Sequence, residues 1–207
     1  MNSYIDISRW NTSNVTNLNG TFTKSYVLKY CDISEWDVSN VTRLYYTFSY
    51  SYITYDLSKW NFKKLEDMRF TFNNIQEIDF DFSKWNTSTV QDMSYAFNEI
   101  NFKDKNINIK PEYIENLNVS SCENFNNMFG RYNGPDLTLD KWNFSNNKNL
   151  KLNNIFNQKS SKSNIDISSW INKLSLMDLL SLNTDMKNMF SSEQLLNKIL
   201  ISKLSLY

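Results

Sequence analysis

Six tryptophans set the organisation of this chain: Trp10, Trp36, Trp60, Trp85, Trp142 and Trp170. The first four are separated by 26, 24 and 25 residues. The 57-residue interval from Trp85 to Trp142 holds two units, with Leu117 in the tryptophan position of the extra copy. Self-similarity at such a period is the mark of a repeat architecture, in which no unit can bury its apolar face alone.

Each copy opens with a short alternating segment. Ile5-Asp6-Ile7-Ser8-Arg9-Trp10 recurs around Trp36, Trp60, Trp85 and Trp170, and as Leu137-Thr138-Leu139-Asp140-Lys141-Trp142. Apolar and polar residues alternate, which predicts a strand. Apolar residues then follow at +5, +8 and +12 from the tryptophan: Val15, Leu18, Phe22; Val41, Leu44, Phe48; Leu65, Met68, Phe72; Val90, Met93, Phe97; and, from Leu117, Cys122, Phe125, Phe129. Spaced i, i+3, i+7, they predict one stripe of a short α-helix, with Ser13, Ser39 and Ser88 placed to cap its start. The fold expected is therefore α/β: a right-handed solenoid with one short parallel strand and one short helix per repeat of about 25 residues.

The whole chain, 1–207, is expected to be one solenoid domain. About seven repeats fill 1–170, in the Trp10, Trp36, Trp60, Trp85, Leu117, Trp142 and Trp170 registers. A degenerate repeat and a C-terminal helical cap fill 171–207, with 192–201 as the capping helix. No comparable cap precedes Ile5, so the first strand is expected to be either exposed, and then a place for self-association, or covered by residues that this sequence does not include.

The string D-I-S-x-W-[ND]-x-S-x-V-x-x-[ML]-x-x-x-F, best matched by residues 5–22 and 33–48, resembles the 25-to-26-residue surface-protein repeat of mycoplasmas and other low-GC bacteria. That repeat is grouped with the BspA-like leucine-rich repeats. The resemblance spans about residues 3–156. It implies a leucine-rich-repeat-like solenoid, exposure at the cell surface or secretion, adhesion or host contact, and no catalytic residues.

Composition narrows the function independently. The 207 residues hold 22 Lys+Arg and 22 Asp+Glu. A chain without basic excess is not expected to bind nucleic acid. There is no histidine, and Cys31 and Cys122 stand 91 positions apart, so histidine-based catalysis and common zinc sites are excluded. The three glycines form neither a phosphate loop nor a dinucleotide fingerprint. Asp79 and Asp81 are a candidate carboxylate pair, but the repeat already accounts for Asp81. The expectation is a non-enzyme with no cofactor and a protein partner. No apolar run is long enough to insert into a bilayer. The opening residues, MNSYIDISRW, carry no signal-peptide pattern. This leaves an intracellular location beside the surface one, and with it an alternative function as an intracellular or virus-encoded inhibitor or adaptor. A structural component of an assembly is a third reading.

Two columns are candidate sites. At +10, Tyr46, Phe70 and Tyr95 fall near 140° on a helical wheel whose apolar stripe centres near about 330°. They are expected to form, with Tyr45, Tyr50 and Tyr52, an exposed aromatic patch for a partner. Asp6, Asp32, Asp56 and Asp81 would stack at strand spacing, which favours either a bound cation or a local backbone partner for each carboxylate. The tryptophans are expected to pack on one another, and the long interval near Phe102–Tyr113 to form a surface loop or part of a binding face.

Overall fold

The computed structural model describes residues 5–102, 106–144, 147, 149–182 and 197. Among these the fold is mixed α/β, with short parallel strands, few short helices and no closed sheet. Strands β1 (Tyr52–Ile53), β2 (Glu77–Ile78) and β3 (Asn106–Ile107) form one parallel sheet, and β4 (Leu137–Thr138) and β5 (Ile165–Asp166) another. A second ladder of single parallel bridges links Asn17, Arg43, Asp67, Asp92, Asn124 and Lys151, one residue from each successive copy. The bridge ladder joins six successive copies at equivalent positions, so each of these copies rests on its neighbours.

The predicted strands are mostly displaced. Only Leu137–Thr138 and Ile165–Asp166 lie within the alternating segments; β1 and β2 precede theirs. The cause is local. The Asp carboxylate accepts the backbone N–H two residues on, as in Asp6–Ser8 (2.9 Å), Asp32–Ser34 (2.9 Å), Asp56–Ser58 (2.8 Å) and Asp81–Ser83 (3.1 Å). The tryptophan N–H then closes an i to i+3 turn, for example Trp10 onto the Ile7 carbonyl at 3.2 Å. An Asx turn followed by a backbone turn competes with extended pairing.

The predicted helix is absent from the +5 to +12 stretch, and its replacement is a ladder of tight turns. In the second copy the amides of Leu44, Tyr46, Phe48 and Tyr50 donate to the carbonyls of Asp67, Arg69, Thr71 and Asn73 of the third. The intervening amides of Thr47, Ser49 and Ser51 close i to i+3 turns onto Leu44, Tyr46 and Phe48. The same alternation runs from Leu18 to Ser25 and from Met68 to Ile75. The amides thus alternate between partners within the copy and in the next, while that of Tyr45 donates to the Asn19 side chain of the preceding copy at 3.0 Å. Such alternation needs a left-handed residue at +10 and +14. Gly20, Lys24, Tyr46, Tyr50, Phe70, Asn74, Tyr95, Glu99, Asn127 and Arg131 all have φ between 49° and 65°. Ser13, Ser39 and Ser88 cap no helix; their N–H groups donate to Asn11, Asp37 and Asn86 in further Asx turns.

Helices proper are α1 (Pro111–Glu115), α2 (Trp170–Lys173) and α3 (Leu176–Ser181), with 3₁₀ turns at Val27–Lys29 and Phe82–Lys84. The long interval before Leu117 is therefore not a plain loop. It supplies β3 and α1, and buries Ile114 in the core. Pro111 opens α1, where a missing N–H costs nothing. Ser175 and Asp178 form a reciprocal capping box on α3. Apart from Asn197, the predicted capping helix at 192–201 lies outside the described residues.

The core is a set of columns. Phe22, Phe48, Phe72, Phe97, Phe129 and Phe156 stack in order with centroids 5.7–6.0 Å apart. Beside them Trp60 stacks on Trp85 and Trp142 on Trp170, both at 5.9 Å. The indoles of Trp36, Trp60, Trp85, Trp142 and Trp170 donate to the carbonyls of Ile7, Ile33, Leu57, Ile114 and Leu139, each in the preceding copy, at 2.8–3.3 Å. A buried indole N–H needs such an acceptor, and here it ties copy to copy.

Candidate functional site: an aromatic column on the turn ladder

The turn ladder decides what the +10 side chains can do. A left-handed residue directs its side chain away from the flanking +8 and +12 residues, which are buried. Tyr46, Phe70 and Tyr95 consequently lie on the outer side of the ladder, half-buried. Their rings are face to face, Tyr46 to Phe70 at 4.2 Å and 11°, and Phe70 to Tyr95 at 4.3 Å and 7°. This is tighter than the buried phenylalanine column.

Tyr45 meets this stack edge-on, 4.6 Å from Tyr46 and 6.0 Å from Phe70. The Arg69 guanidinium lies 4.7 Å from the Tyr45 ring centroid and is held by Asp67 at 2.6 Å. That hydrogen-bonded carboxylate raises the Arg69 pKa above its ordinary value. The Tyr46 hydroxyl is also pushed above its ordinary pKa, by burial first and then by Tyr45, Tyr50 and Tyr95. The Asn127 amide donates to the Tyr95 hydroxyl at 3.0 Å, closing one end of the column with a polar side chain.

The residues expected to share the patch divide between two places. Tyr45 and Tyr50 belong to it; Tyr50 lines the same groove as Tyr46, with Lys24 5.5 Å from its ring. Tyr52 does not belong to it. It lies in β1, stacked on Tyr26 at 4.6 Å, with Lys29 over its ring at 4.6 Å.

A groove of about 360 Å³ runs beside the column, lined by Tyr46, Tyr50, Phe70 and Tyr95 together with the polar Asn73, Asn98 and Glu99. Sequence reasoning missed this polar wall. Asn98 donates to Asn73 at 2.7 Å and Asn73 to Ser49 at 3.1 Å. At +14, Asn74 and Arg131 both donate to Glu99, at 2.9 and 2.8 Å, and Arg131 donates to Gln158 at 3.1 Å. The residue types at the left-handed positions carried the missing signal. Gly20, Asn74, Asn127 and Asn154 are the kinds that adopt φ above zero readily.

The Asp column has local partners. Besides the amides named above, Asp81 accepts from the Ser83 hydroxyl at 2.6 Å. These bonds to Ser8 and Ser58 hold Asp6 and Asp56 below the ordinary carboxylate pKa. Asp79 is not paired with Asp81; it accepts from Asn108 at 2.8 Å. Among the described residues no group of three or more acidic, cysteine or histidine side chains is placed to hold a metal ion. Both cysteines are buried thiols, and burial drives the Cys122 pKa strongly upward. Among the described residues no helix is long and apolar enough to cross a membrane.

Copies that pair in parallel at equivalent positions, each shielding the next, define a repeat protein. The family model for "Mycoplasma protein of unknown function, DUF285" matches residues 1–110 and again 102–203, and the chain belongs to that family. No curated protein and no solved structure matches it.

Proposed function

We propose that the stacked copies form a right-handed, BspA-like solenoid related to leucine-rich repeats, and that the chain is a non-catalytic protein-binding domain working in surface or host contact. The ladder pairing at repeat spacing supports the solenoid; the right hand follows the general rule for parallel crossovers. The surface or host role, with its cell-surface or secreted location, rests on the family resemblance.

One observation carries the binding reading. Tyr46, Phe70 and Tyr95 occupy a backbone position that Gly20, Asn127 and Asn154 fill in other copies with the same left-handed φ. The fold does not need rings there, yet three adjacent copies place them in one half-exposed stack. Aromatic side chains that backbone geometry does not demand, set beside a cation such as Arg69, suit a protein hot spot.

The test is the triple variant Tyr46→Asn, Phe70→Asn, Tyr95→Asn, because asparagine already holds this conformation at Asn127. Unchanged cooperative unfolding with loss of retention on host-cell surfaces or extracts supports the reading. A variant that no longer folds makes the column structural. A variant that folds and is retained as well as the wild type removes the column from the interface.

A further inference from the structure

The outer aromatic column ends differently on its two sides. Within it each ring covers the face of the next, Tyr46 on Phe70 and Phe70 on Tyr95. Beyond Tyr95 the next copy supplies Asn127, whose amide donates to the Tyr95 hydroxyl at 3.0 Å. Beyond Tyr46 the neighbouring copy supplies Gly20. Its φ of 65° is close to the 56° of Tyr46, so a side chain there would point the same way. A Cβ at Gly20 would meet only the Thr23 hydroxyl oxygen, at 3.8 Å. Gly20 is exposed. Tyr45 does not fill the gap. A ring on the free face of Tyr46 would lie two stacking steps from Phe70, whereas Tyr45 is 6.0 Å from Phe70 and 4.6 Å from Tyr46, and so stands beside the stack. The gap is one layer deep and is set by glycine in place of a ring, not by the edge of the ladder. Lys24 lines the same groove, is exposed, and makes no ion pair among the described residues.

We infer that the gap over Gly20 is a slot for an aromatic side chain of the protein partner, which extends the stack by one ring while an adjacent carboxylate of the partner pairs with Lys24. This rests on the column being the partner-binding face. The column itself selects a flat ring, since its own members pack face to face at 4.2–4.3 Å, and the stack is already ordered, so little freedom is lost on docking. A guanidinium also stacks on tyrosine, but it would bring another positive charge beside Lys24, which like-charge repulsion opposes.

The probe is the blocked tripeptide Asp-Trp-Asp, titrated into the isotope-labelled full chain and followed by NMR. Docking predicts a saturable upfield shift of the Gly20 α protons from the incoming ring. Asp-Leu-Asp, which cannot stack, is expected to bind about two- to tenfold more weakly, and Lys-Trp-Lys more weakly than Asp-Trp-Asp. Gly20→Asn places a side chain in the slot at a conformation asparagine already holds at Asn127. It is expected to keep the wild-type urea midpoint and lose the peptide response. Tyr46→Asn, which removes the face the ring would cover, is expected to lose it as well. No shift at Gly20, equal binding of Asp-Leu-Asp, or undiminished binding by folded Gly20→Asn or Tyr46→Asn overturns the slot. Equal binding of Lys-Trp-Lys overturns the carboxylate pairing with Lys24. Retention on host-cell surfaces separates this inference from the reading beneath it. Retention lost in the aromatic triple variant but kept in Gly20→Asn overturns the slot alone. Retention kept in the triple variant overturns the binding role of the column, and the slot as a partner site with it.

Discussion

Two aromatic columns run side by side along this molecule, and they differ in reach and spacing. The inner one, Phe22 to Phe156, passes through six copies at 5.7–6.0 Å and is buried throughout. The outer one, Tyr46, Phe70 and Tyr95, spans three copies at 4.2–4.3 Å and is half-buried. The two positions are only two residues apart in each copy. The inner position faces every neighbouring copy, so each copy must fill it. The outer position needs only a residue that tolerates left-handed backbone, and three other copies meet that need with glycine or asparagine. An aromatic residue there bears a backbone cost of about 1–2 kcal/mol, offset in part by ring stacking of about 0.5–1.5 kcal/mol per pair. Fold and surface chemistry are thus carried by separate columns of one repeat.

The sharpest way to break this contrast is to truncate one ring in each column. Phe72→Ala opens a cavity among Phe48, Phe82, Trp85 and Phe97 and is expected to cost about 3–5 kcal/mol. Phe70→Asn is expected to stay within about 1 kcal/mol of the wild type, since the lost stacking and the relieved backbone oppose each other. Urea unfolding measures both, and equal losses would erase the distinction.

A second comparison sets a buried tryptophan against an exposed one. Trp60→Phe removes the indole donor from the Ile33 carbonyl, which keeps the Trp36 N–H, and leaves space in a fully packed stack with Trp85, at an expected combined cost of about 1–3 kcal/mol. Trp10→Phe, at a position where the indole has no acceptor among the described residues, is expected to change stability by no more than about 0.5 kcal/mol. Thermal unfolding followed by circular dichroism separates them.

The third variant sharpens the account of the outer column. Phe70→Val keeps an apolar side chain but places a β-branched residue at a φ of 55°. It is expected to be less stable than Phe70→Asn by about 1–3 kcal/mol. If valine and asparagine prove equivalent, backbone conformation does not govern what this column accepts.

The sequence announced the columns but not the backbone that makes them. The +5, +8, +12 spacing identified Val41, Leu44 and Phe48 as core, and they are fully buried. It misassigned the path between them because a turn ladder advances four residues per step, close to the 3.6 of a helix. Periodicity alone cannot separate the two, whereas left-handed residue types at +10 and +14 can. Tyr46, Phe70 and Tyr95 were placed on the outer side for a reason that does not apply, the helical wheel, and reach it because φ is positive. Tyr52 was grouped with them by nearness in sequence, but the chain turns between Tyr50 and β1 and carries it to the strand ladder. The polar wall of Asn73, Asn98 and Glu99 was invisible because asparagines in turns are too common in this chain to single out.

The smallest expected effect concerns the Asp column, which the sequence left open between cation and turn. Asp56 accepts from the Ser58 backbone N–H, and this bond is the main cause of its pKa lying below the ordinary 3.8. A carboxyl whose pKa is lower in the folded chain adds stability above its unfolded value, and that contribution is lost as pH falls through the folded value. Asparagine offers the same carbonyl acceptor without the charge, as Asn86 does for Ser88. Asp56→Asn is therefore expected to be less stable than the wild type at neutral pH by no more than about 1 kcal/mol. The gap should narrow as pH falls through the folded value, where the wild-type carboxyl takes up its proton and the amide is unaffected. Urea unfolding of both proteins across a pH series from neutral into the acid range measures the narrowing. Millimolar calcium should leave the wild-type midpoint where it is, because the Asp56 carboxylate is already engaged by its own turn. A calcium-dependent rise in stability that disappears in Asp56→Asn would instead make this column a cation site and the turn bonds secondary.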